Sequence, residues 1–283
     1  MTSVAALQMS SGPDVRANLA AAGTLLETAA AQGARLAVLP ENFAFMGIAD
    51  ADKRGVAEPD GRGPMQEFLA DSARRLGLWI VGGTVPLSGA ADGRVAAACL
   101  VYDASGMRRA RYDKMHLFDV RLPDRAESYA ESAHIAPGAT VVVVPTPVGR
   151  LGLSVCYDVR FPELYRAMVA QGAQLFAIPA AFTAATGRAH WEVLLRARAV
   201  ENLCVVIAAA QTGRHPNGRE TYGDSLIADH WGQVLARRPQ GSGCVVADID
   251  LQAEQRDRES FPVLRHRVLG MHTSCTPMDE GHE

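Results

Sequence analysis

The chain has 283 residues, 48% of them hydrophobic and 21% charged, which is the ordinary composition of a globular protein. Its 31 acidic and 28 basic side chains leave a formal charge of -3. This near balance excludes the strongly basic surface by which proteins hold nucleic acid or anionic membranes. The expected partner is therefore a small molecule, with no nucleic acid and no membrane.

The first residues and the cysteines indicate a cytoplasmic protein. MTSVAALQMSSGPD has no basic flank and only a short apolar run, and no stretch approaches the roughly 18 apolar residues of a membrane-spanning helix. The five cysteines are irregularly spaced, and Cys99, Cys204 and Cys244 lie in apolar stretches typical of buried strands. No disulfide framework is expected, which fits a reducing compartment.

Strands alternate with helices in the first half of the chain. The hydrophobic pattern predicts a strand at 4–9, a helix at 14–32 capped by Asp14, a strand at 36–39, a helix at 64–76, and strands at 78–85 and 95–102. Because the last two strands are close in sequence, they are predicted to pair antiparallel.

The same alternation continues after a loop-rich middle. The pattern predicts strands at 140–144 and 150–155, a helix from about 161, a strand at 174–178, a helix at 188–202, a strand at 204–209, a hairpin at 225–237 and a strand at 244–250. This order predicts an α/β fold in which two β-rich layers have helices outside them. No linker separates independent halves, so residues 1–283 are predicted to form one domain.

The tail at 256–283 is rich in Arg, His and Glu and has one apolar cluster, FPVLRHRVL. Three placements fit this pattern equally: packing on a partner subunit in an oligomer, packing on its own chain, or fraying.

Two reactive residues each follow an apolar strand. RLAVLP ends in Glu41 and GLSV ends in Cys156. Layered α/β folds bind ligands at the carboxyl ends of strands, so both side chains are expected in one crevice. Taken alone, a cysteine there is more often inert packing and a glutamate more often a surface carboxylate or helix cap. Lys114, in YDKMHLFD, would by itself be a solvated side chain.

The chemistry gives these three residues a reason to act together. The helix predicted after Cys156 is expected to expose the sulfur, to favour its thiolate and to turn the Tyr157 amide toward an oxyanion beside it. A thiol with a free pKa of roughly 8.5 still needs a carboxylate to take its proton at neutral pH. A lysine beside that carboxylate keeps its charge and can stabilise the oxyanion.

Three segments carry a resemblance to a known family. LPENF around Glu41, YDKMHLFD around Lys114 and SVCYDVRFPELYR around Cys156 resemble, in the same order, the catalytic segments of the nitrilase superfamily of carbon-nitrogen hydrolases. The likeness runs from ALQM to about residue 250. It implies a four-layer αββα sandwich, a Glu-Lys-Cys triad, a cysteine thioester intermediate, no metal or organic cofactor, and a homodimer or larger homo-oligomer.

The resemblance also implies a second glutamate shortly before a Pro-Gly pair. Glu131, in ESAHIAPG, matches that position and would orient Lys114. Glu127 is a competing candidate, and the structural alternative for Glu131 is that it caps a loop.

The stretches AFTAATGRAHWEVLLRARAVEN and TYGDSLIADHWG resemble the branch of the family that hydrolyses deaminated glutathione to α-ketoglutarate and cysteinylglycine, a metabolite-repair reaction. This implies an amide substrate bearing carboxylates. The alternatives are an ω-amidase acting on α-ketoglutaramate, an N-carbamoyl amino acid amidohydrolase, and a catalytically silent binding or assembly module. A silent relative should have lost one of the three reactive residues, and this chain retains all of them.

Residues near the predicted strand ends and helix starts are candidates for substrate binding: Tyr157, Arg160, Phe182, Thr183, His190 and Trp191. Arg160, Arg166 and Arg188 are available to meet substrate carboxylates through bidentate hydrogen bonds. For Arg166 the alternative is a solvated place on a helix, and for the His190-Trp191 pair it is a cover over a helix start.

Two rival chemistries fail on context. GDSL at 223–226 matches a serine esterase signature, but Ser225 comes late in the chain at the start of a predicted hairpin, and GLSVC at 152–156 lacks the last glycine of a nucleophile elbow. The eight histidines form no ligand-spaced cluster with cysteines or carboxylates, so no metal site is predicted.

Overall fold

Two β-sheets packed face to face form the centre of the computed structural model, which describes residues 1–121 and 128–269. The elements of the first half are β1 (Thr2–Gln8), α1 (Val15–Ala31), β2 (Leu36–Val38), a 3-10 helix (Asp50–Val56), α2 (Pro64–Leu76), β3 (Trp79–Val81), β4 (Val85–Leu87), β5 (Val95–Tyr102) and β6 (Arg108–Asp113). The middle of the chain contributes β7 (Asp119–Arg121), β8 (Ser128–Ala130), a 3-10 helix (Glu131–Ala133) and β9 (Ile135–Ala136).

The second half repeats the alternation. Its elements are β10 (Val143–Thr146), β11 (Gly149–Leu153), a 3-10 helix (Cys156–Arg160), α3 (Pro162–Ala170), β12 (Leu175–Ala180), α4 (Ala184–Asn202), β13 (Val205–Ala210), β14 (Thr212–Arg214), β15 (Glu220–Tyr222), β16 (Ser225–Ala228), β17 (Val234–Arg238), β18 (Gly243–Ile249) and α5 (Leu251–Ser260). The predicted hairpin at 225–237 is confirmed, because β16 and β17 pair antiparallel around the turn.

The strand order brings several carboxyl ends together. The first sheet runs β18-β1-β2-β3-β5-β4, with β6 and β9 also paired to β5, and the second runs β10-β11-β12-β13-β16-β17. Strands β1, β2 and β3 are parallel, as are β11, β12 and β13. The predicted antiparallel pairing next to β5 is also confirmed. Each sheet therefore has an edge at which successive loops can build one site.

The alternation of side chains along the strands explains the layers. Val4 and Ala6 of β1 belong to the core between the two sheets, whereas Ala5 and Leu7 belong to the core under α1 and α2. On the other side of the molecule, α3 and α4 bury side chains such as Trp191 against the second sheet. The predicted αββα sandwich is confirmed. Among the residues described, no helix is both long and apolar enough to cross a membrane.

The strand predicted at 78–85 is interrupted at Gly83, and this break concerns the site. Gly83 has φ +50°, and a Cβ built on it would lie 2.0 Å from the carbonyl oxygen of Pro40. Only glycine allows the two backbones to approach so closely just before Glu41. The chain therefore leaves the sheet here and resumes it as β4.

Helix α4 begins at Ala184, four residues earlier than the predicted start at 188. Thr183 is its N-cap, and its hydroxyl accepts a hydrogen bond from the amide of Thr186 at 3.4 Å. Trp191, which is fully buried, therefore lies about two turns inside α4 and not at its beginning.

The beginning of the tail continues a helix that was not predicted. Asp250 caps α5, which ends at Ser260. Arg258 donates from Nε to the carbonyl of Leu203 at 3.0 Å, so this part of the tail packs on its own chain. Residues 261–269 follow without a helix or strand, and residues 270–283 lie outside the described range.

Candidate active site

The cavity that holds the reactive side chains lies where strands of both sheets end. Glu41 follows β2, Cys156 follows β11 and Ala181 follows β12. The cavity is lined by Glu41, Asn42, Asp50, Lys53, Lys114, Phe118, Tyr129, Glu131, Cys156, Tyr157, Ala181, Phe182, Thr183, Thr186 and Arg219.

Lys114 lies between two carboxylates at the base of this cavity. It follows β6 and is only 2% exposed. Its Nζ donates to Glu41 Oε1 at 2.7 Å and to the Glu131 oxygens at 3.0 and 2.9 Å. Burial alone would lower the pKa of Lys114, but the charges of Glu131 and Glu41 raise it well above its ordinary value. Lys114 is therefore a fixed cation.

Glu41 is held on both of its carboxylate oxygens. Oε1 accepts from Lys114, and Oε2 accepts from the backbone amide of Ala181 at 2.9 Å. Burial alone would raise the pKa of Glu41, but Lys114 lowers it below its ordinary value through its charge and hydrogen bond. The carboxylate is ionised at rest and can accept a proton.

Glu131 also has a second partner. Oε2 accepts from the backbone amide of Phe118 at 2.7 Å, in addition to the ammonium group of Lys114. This bond connects the segment after Lys114 to the same carboxylate that binds the Lys114 ammonium group. Glu127, the competing candidate, lies outside the described residues.

Cys156 sits at a strained position next to Glu41 and Lys114. Its backbone has φ +51°, a region that non-glycine residues seldom adopt. Burial raises the pKa of the Cys156 thiol, and the charge of Glu41 raises it further, against the opposing effect of Lys114. The expected exposed sulfur and favoured thiolate are therefore wrong. The residue is 7% exposed, its burial disfavours the thiolate, and α3 begins only at Pro162.

A buried carboxylate fixes the turn that carries Cys156. Asp158 is fully buried and accepts from the Val155 amide at 2.7 Å and from the Tyr112 hydroxyl at 2.7 Å. It also accepts from the His116 amide at 3.0 Å and lies 2.7 Å from His116 Nδ1. Because Tyr112 and His116 flank Lys114 in sequence, Asp158 joins the segment of the lysine to that of the cysteine.

Three of the predicted substrate-binding residues line the cavity and three do not. Tyr157, Phe182 and Thr183 are in its wall. Arg160 instead lies outside, where its guanidinium carbon is 5.1 Å from the Phe182 ring centroid and its nitrogens are 3.3 Å from His190 Nδ1.

His190 lies at a surface groove along α4, Trp191 lies buried beneath that groove, and neither residue lines the cavity. Trp191 is fully buried and donates from Nε1 to the carbonyl of Asp224 at 2.8 Å. Its ring centroid lies 5.0 Å from that of Phe182, so it packs behind a residue of the cavity wall. The two candidate arginines elsewhere are also outside: Arg166 donates to the Glu201 carbonyl at 2.7 Å, and Arg188 lines the same groove as His190.

Ser225, the rival nucleophile, is fully buried, and its Oγ accepts from the amide of Ala210 at 2.9 Å. It stabilises the start of β16 and has no access to the cavity.

Sequence reasoning missed two cationic residues of the cavity. Lys53 comes from the 3-10 helix after the Glu41 segment, and Arg219 comes from the turn between β14 and β15. Neither lies in a periodic pattern. The only available signal for Lys53 was its closeness in sequence to Glu41, and Arg219 had none, since β14 and β15 are short.

Comparison with known proteins decides the family. The sequence model of the carbon-nitrogen hydrolase family matches residues 3–259. The chain belongs to this family. This carbon-nitrogen hydrolase is 42% identical over 264 residues to the deaminated glutathione amidase of Yersinia enterocolitica, covering 93% of the chain and 92% of that relative. It is 44% identical over 268 residues to the deaminated glutathione amidase of Synechocystis sp., covering 94% and 97%.

A solved structure shares the fold. The Caenorhabditis elegans NitFhit protein superposes on this carbon-nitrogen hydrolase with a TM-score of 0.88 at 39% identity, over 94% of this chain and 65% of the NitFhit chain. The chain thus spans about two thirds of that protein. Membership of the nitrilase superfamily is confirmed, and the protein is an amidohydrolase that acts on carbon–nitrogen bonds.

Proposed function

We propose that this enzyme hydrolyses deaminated glutathione to α-ketoglutarate and cysteinylglycine through a thioester on Cys156. The observation that carries the proposal is the convergence of Cys156, Glu41 and Lys114 in one buried cavity. The similarity to two enzymes named deaminated glutathione amidase, over more than nine tenths of the chain, supports the choice of substrate.

In the first half of the reaction, the Cys156 sulfur attacks the amide carbonyl while its proton passes to Glu41. A thiol with a raised pKa requires this transfer, since too little thiolate exists beforehand. The negative charge that develops on the carbonyl oxygen is stabilised by the ammonium group of Lys114 and the backbone amide of Tyr157. Glu41 then returns the proton to the amine as the carbon–nitrogen bond breaks.

The second half removes the acyl group. A water molecule gives a proton to Glu41 as its oxygen attacks the thioester carbonyl, and Lys114 again faces the oxyanion. The carbon–sulfur bond breaks, the acid leaves, and Glu41 returns the proton to the Cys156 sulfur. The net reaction consumes one water and one amide, and no cofactor takes part in the proposed steps.

Glu131 has a positioning role in this proposal. Its two oxygens hold the ammonium of Lys114 at 3.0 and 2.9 Å, so the cation keeps its place while Glu41 gains and loses a proton. Without Glu131, Lys114 would depend on a carboxylate that is transiently neutral.

Substrate choice is tested by incubating the purified protein with deaminated glutathione, α-ketoglutaramate and an N-carbamoyl amino acid. The products measured are cysteinylglycine from deaminated glutathione, ammonia from α-ketoglutaramate, and ammonia with carbon dioxide from the N-carbamoyl amino acid. The highest kcat/KM is expected for deaminated glutathione, and a preference for α-ketoglutaramate would change the assignment to an ω-amidase.

The proposal includes a cytoplasmic location and a homodimer or larger homo-oligomer. The four described cysteines are unpaired, which suits a reducing compartment.

Residues 1–283 form one domain in this proposal, and the tail at 256–283 contributes to assembly through exposed apolar groups such as Phe261 and Leu269. Cell fractionation and native mass spectrometry, with a chain ending at residue 260 as comparison, test these points.

A further inference from the structure

Arg219 is held firmly on the wall of the cavity. Its Nη2 donates to the carbonyl of Ala181 at 2.8 Å, and its guanidinium carbon lies 5.1 Å from the ring centroid of Tyr129. Its backbone amide donates to Asn217 Oδ1 at 3.0 Å. The hydrogen bond to Ala181 and the cation–π contact with Tyr129 orient the guanidinium group but do not neutralise its positive charge.

That charge has no carboxylate partner among the described residues. No described Asp or Glu lies within 4.0 Å of the guanidinium, and its Nε is buried without a hydrogen-bond partner in that part of the chain. Buried Arg198 is different, because its guanidinium lies 2.6 Å from the Glu201 carboxylate. A half-buried guanidinium without a carboxylate partner, on the wall of a cavity, points to an anionic ligand.

Ala181 connects Arg219 to the reacting groups. Its carbonyl accepts from Arg219, and its amide donates to Glu41 Oε2 at 2.9 Å. The same amide faces the thiol of Cys156, since it acts to lower the pKa of that group. Arg219 and the Glu41 carboxylate therefore bind the backbone of the same residue, Ala181.

Lys53 adds a second positive charge to the same cavity. It lines the wall near Glu41, and its charge contributes to the lowered pKa of that carboxylate. Over the described ranges it makes no ion pair. Lys114, in contrast, is already engaged by two glutamates.

We propose that Arg219, assisted by Lys53, binds the carboxylate on the acyl part of the substrate, and so selects amides whose acyl group ends in a carboxylate. This inference rests on the proposed function. In an α-ketoglutaryl amide, four bonds separate the scissile carbonyl carbon from the carboxylate carbon, a span of roughly 5 Å from ordinary bond lengths. The carboxylates of a peptide leaving group are farther from the scissile bond, so a cation that binds the same residue as the Glu41 carboxylate suits the acyl side.

The experiment compares two substrates in three proteins. One substrate is deaminated glutathione, and the other is the same amide with the α-keto carboxylate converted to its methyl ester. Arg219→Gln is expected to lower kcat/KM about 100-fold on the acid, mainly through KM, and less than about 3-fold on the ester, because one charge-assisted bidentate interaction is lost. Lys53→Gln is expected to lower it about 10-fold on the acid alone.

Matched variants separate charge from structure. Arg214→Gln removes an exposed arginine from the same hairpin and should leave both substrates unaffected. Arg219→Lys should retain part of the preference for the acid. Equal losses on both substrates in Arg219→Gln, or no loss on the acid, would overturn the proposal.

Two further results distinguish this inference from the proposed function. The parent enzyme could prefer another amide whose acyl group ends in a carboxylate, and Arg219→Gln could remove that preference. The proposed substrate would then be wrong, and the proposed role of Arg219 would stand. If the parent enzyme hydrolyses acid and ester equally well, the role of Arg219 fails and the amidase remains.

Should Arg219→Gln not fold, the parent enzyme still gives an answer. α-Ketoglutarate is expected to slow alkylation of Cys156 by iodoacetamide, and its ester at the α-keto carboxylate is expected to be at least about 10-fold less effective. Equal protection by the two compounds would count against the proposal.

Discussion

The ammonium nitrogen of Lys114 lies 2.7 Å from Glu41 Oε1 and within 3.0 Å of both oxygens of Glu131, so one buried cation serves two carboxylates. With a neutral thiol at Cys156, this group carries a formal charge of about -1, and ionisation of the thiol would make it more negative in a site of low dielectric. Burial is the main cause of the raised pKa of Cys156, and the charge of Glu41 adds to it. Passing the proton to Glu41 during attack avoids the extra charge.

Glu131→Gln should therefore separate positioning from simple structural support. We expect kcat to fall about 10- to 100-fold because Lys114 is less well held, and the pH midpoint for alkylation of Cys156 to move lower because one nearby negative charge is gone. Stopped-flow alkylation across pH measures the second effect. Glu163→Gln, an exposed change on α3, is the control, and an unaltered alkylation profile with full activity in Glu131→Gln would refute the positioning role.

Asp158 is predicted to be essential to the geometry of the site. Replacing it with Asn puts an amide group among donors from Val155, Tyr112 and His116, and at least one buried hydrogen bond is lost. The free energy of unfolding should fall by about 2–4 kcal/mol, with a loss of kcat. Denaturant titration measures the first quantity. Asp71→Asn, at a side chain that is 73% exposed, should change it by less than about 0.5 kcal/mol, and a similar small effect at Asp158 would contradict the prediction.

Glu254 is predicted to make stability depend on pH. The residue is fully buried beside Arg258, and burial raises its pKa from 4.5 to about 8, despite the opposing charge of that arginine. Between these values the unfolded chain has lost the proton and the folded chain still holds it, so stability falls as pH rises from about 5 to 8.

Glu254→Gln removes this titration, so its Tm should fall by several degrees less than that of the parent over the same pH range. Differential scanning calorimetry at a series of pH values measures the difference. Glu259→Gln, an exposed change on the same helix, should follow the parent. Parallel curves for parent and Glu254→Gln would show that Glu254 does not titrate in this range.

Gly83→Ala is expected to damage both stability and catalysis. The new Cβ would lie 2.0 Å from the Pro40 carbonyl oxygen, and relief of that overlap must displace the backbone that presents Glu41. Gly33→Ala is a matched control, because Gly33 also has a positive φ, +86°, but has no atom within 4 Å of the added Cβ. It should cost only about 1 kcal/mol with normal kcat. Equal effects of the two changes would argue against the close approach.

The sequence predicted the parts of the molecule that local pattern controls. Helix α2 and strand β5 have the predicted bounds. An apolar helical period with Pro64 at its start specifies α2, and a continuous apolar run specifies β5. The motifs around Glu41, Lys114 and Cys156 also came together as expected. In these cases residues that are neighbours in sequence are sufficient to predict the element or the motif.

The remaining features depend on contacts between distant segments. Arg219 reaches the cavity only because β14 and β15 fold back over Ala181, and no local signal identifies that arrangement. Trp191 was predicted to line the pocket because α4 was expected to begin at 188, whereas the Thr183 cap starts it at Ala184 and leaves Trp191 well inside the helix. The burial that raises the Cys156 pKa likewise comes from segments far apart in sequence.

The most direct test of the central claim is intact-protein and peptide mass spectrometry after rapid quenching with a slowly hydrolysed amide substrate. The account predicts an acyl adduct on the peptide containing Cys156, lost on treatment with hydroxylamine, and neither adduct nor turnover in Cys156→Ala, whose small neutral side chain should leave the protein folded. An adduct on any other residue, or substantial turnover by Cys156→Ala, would contradict it.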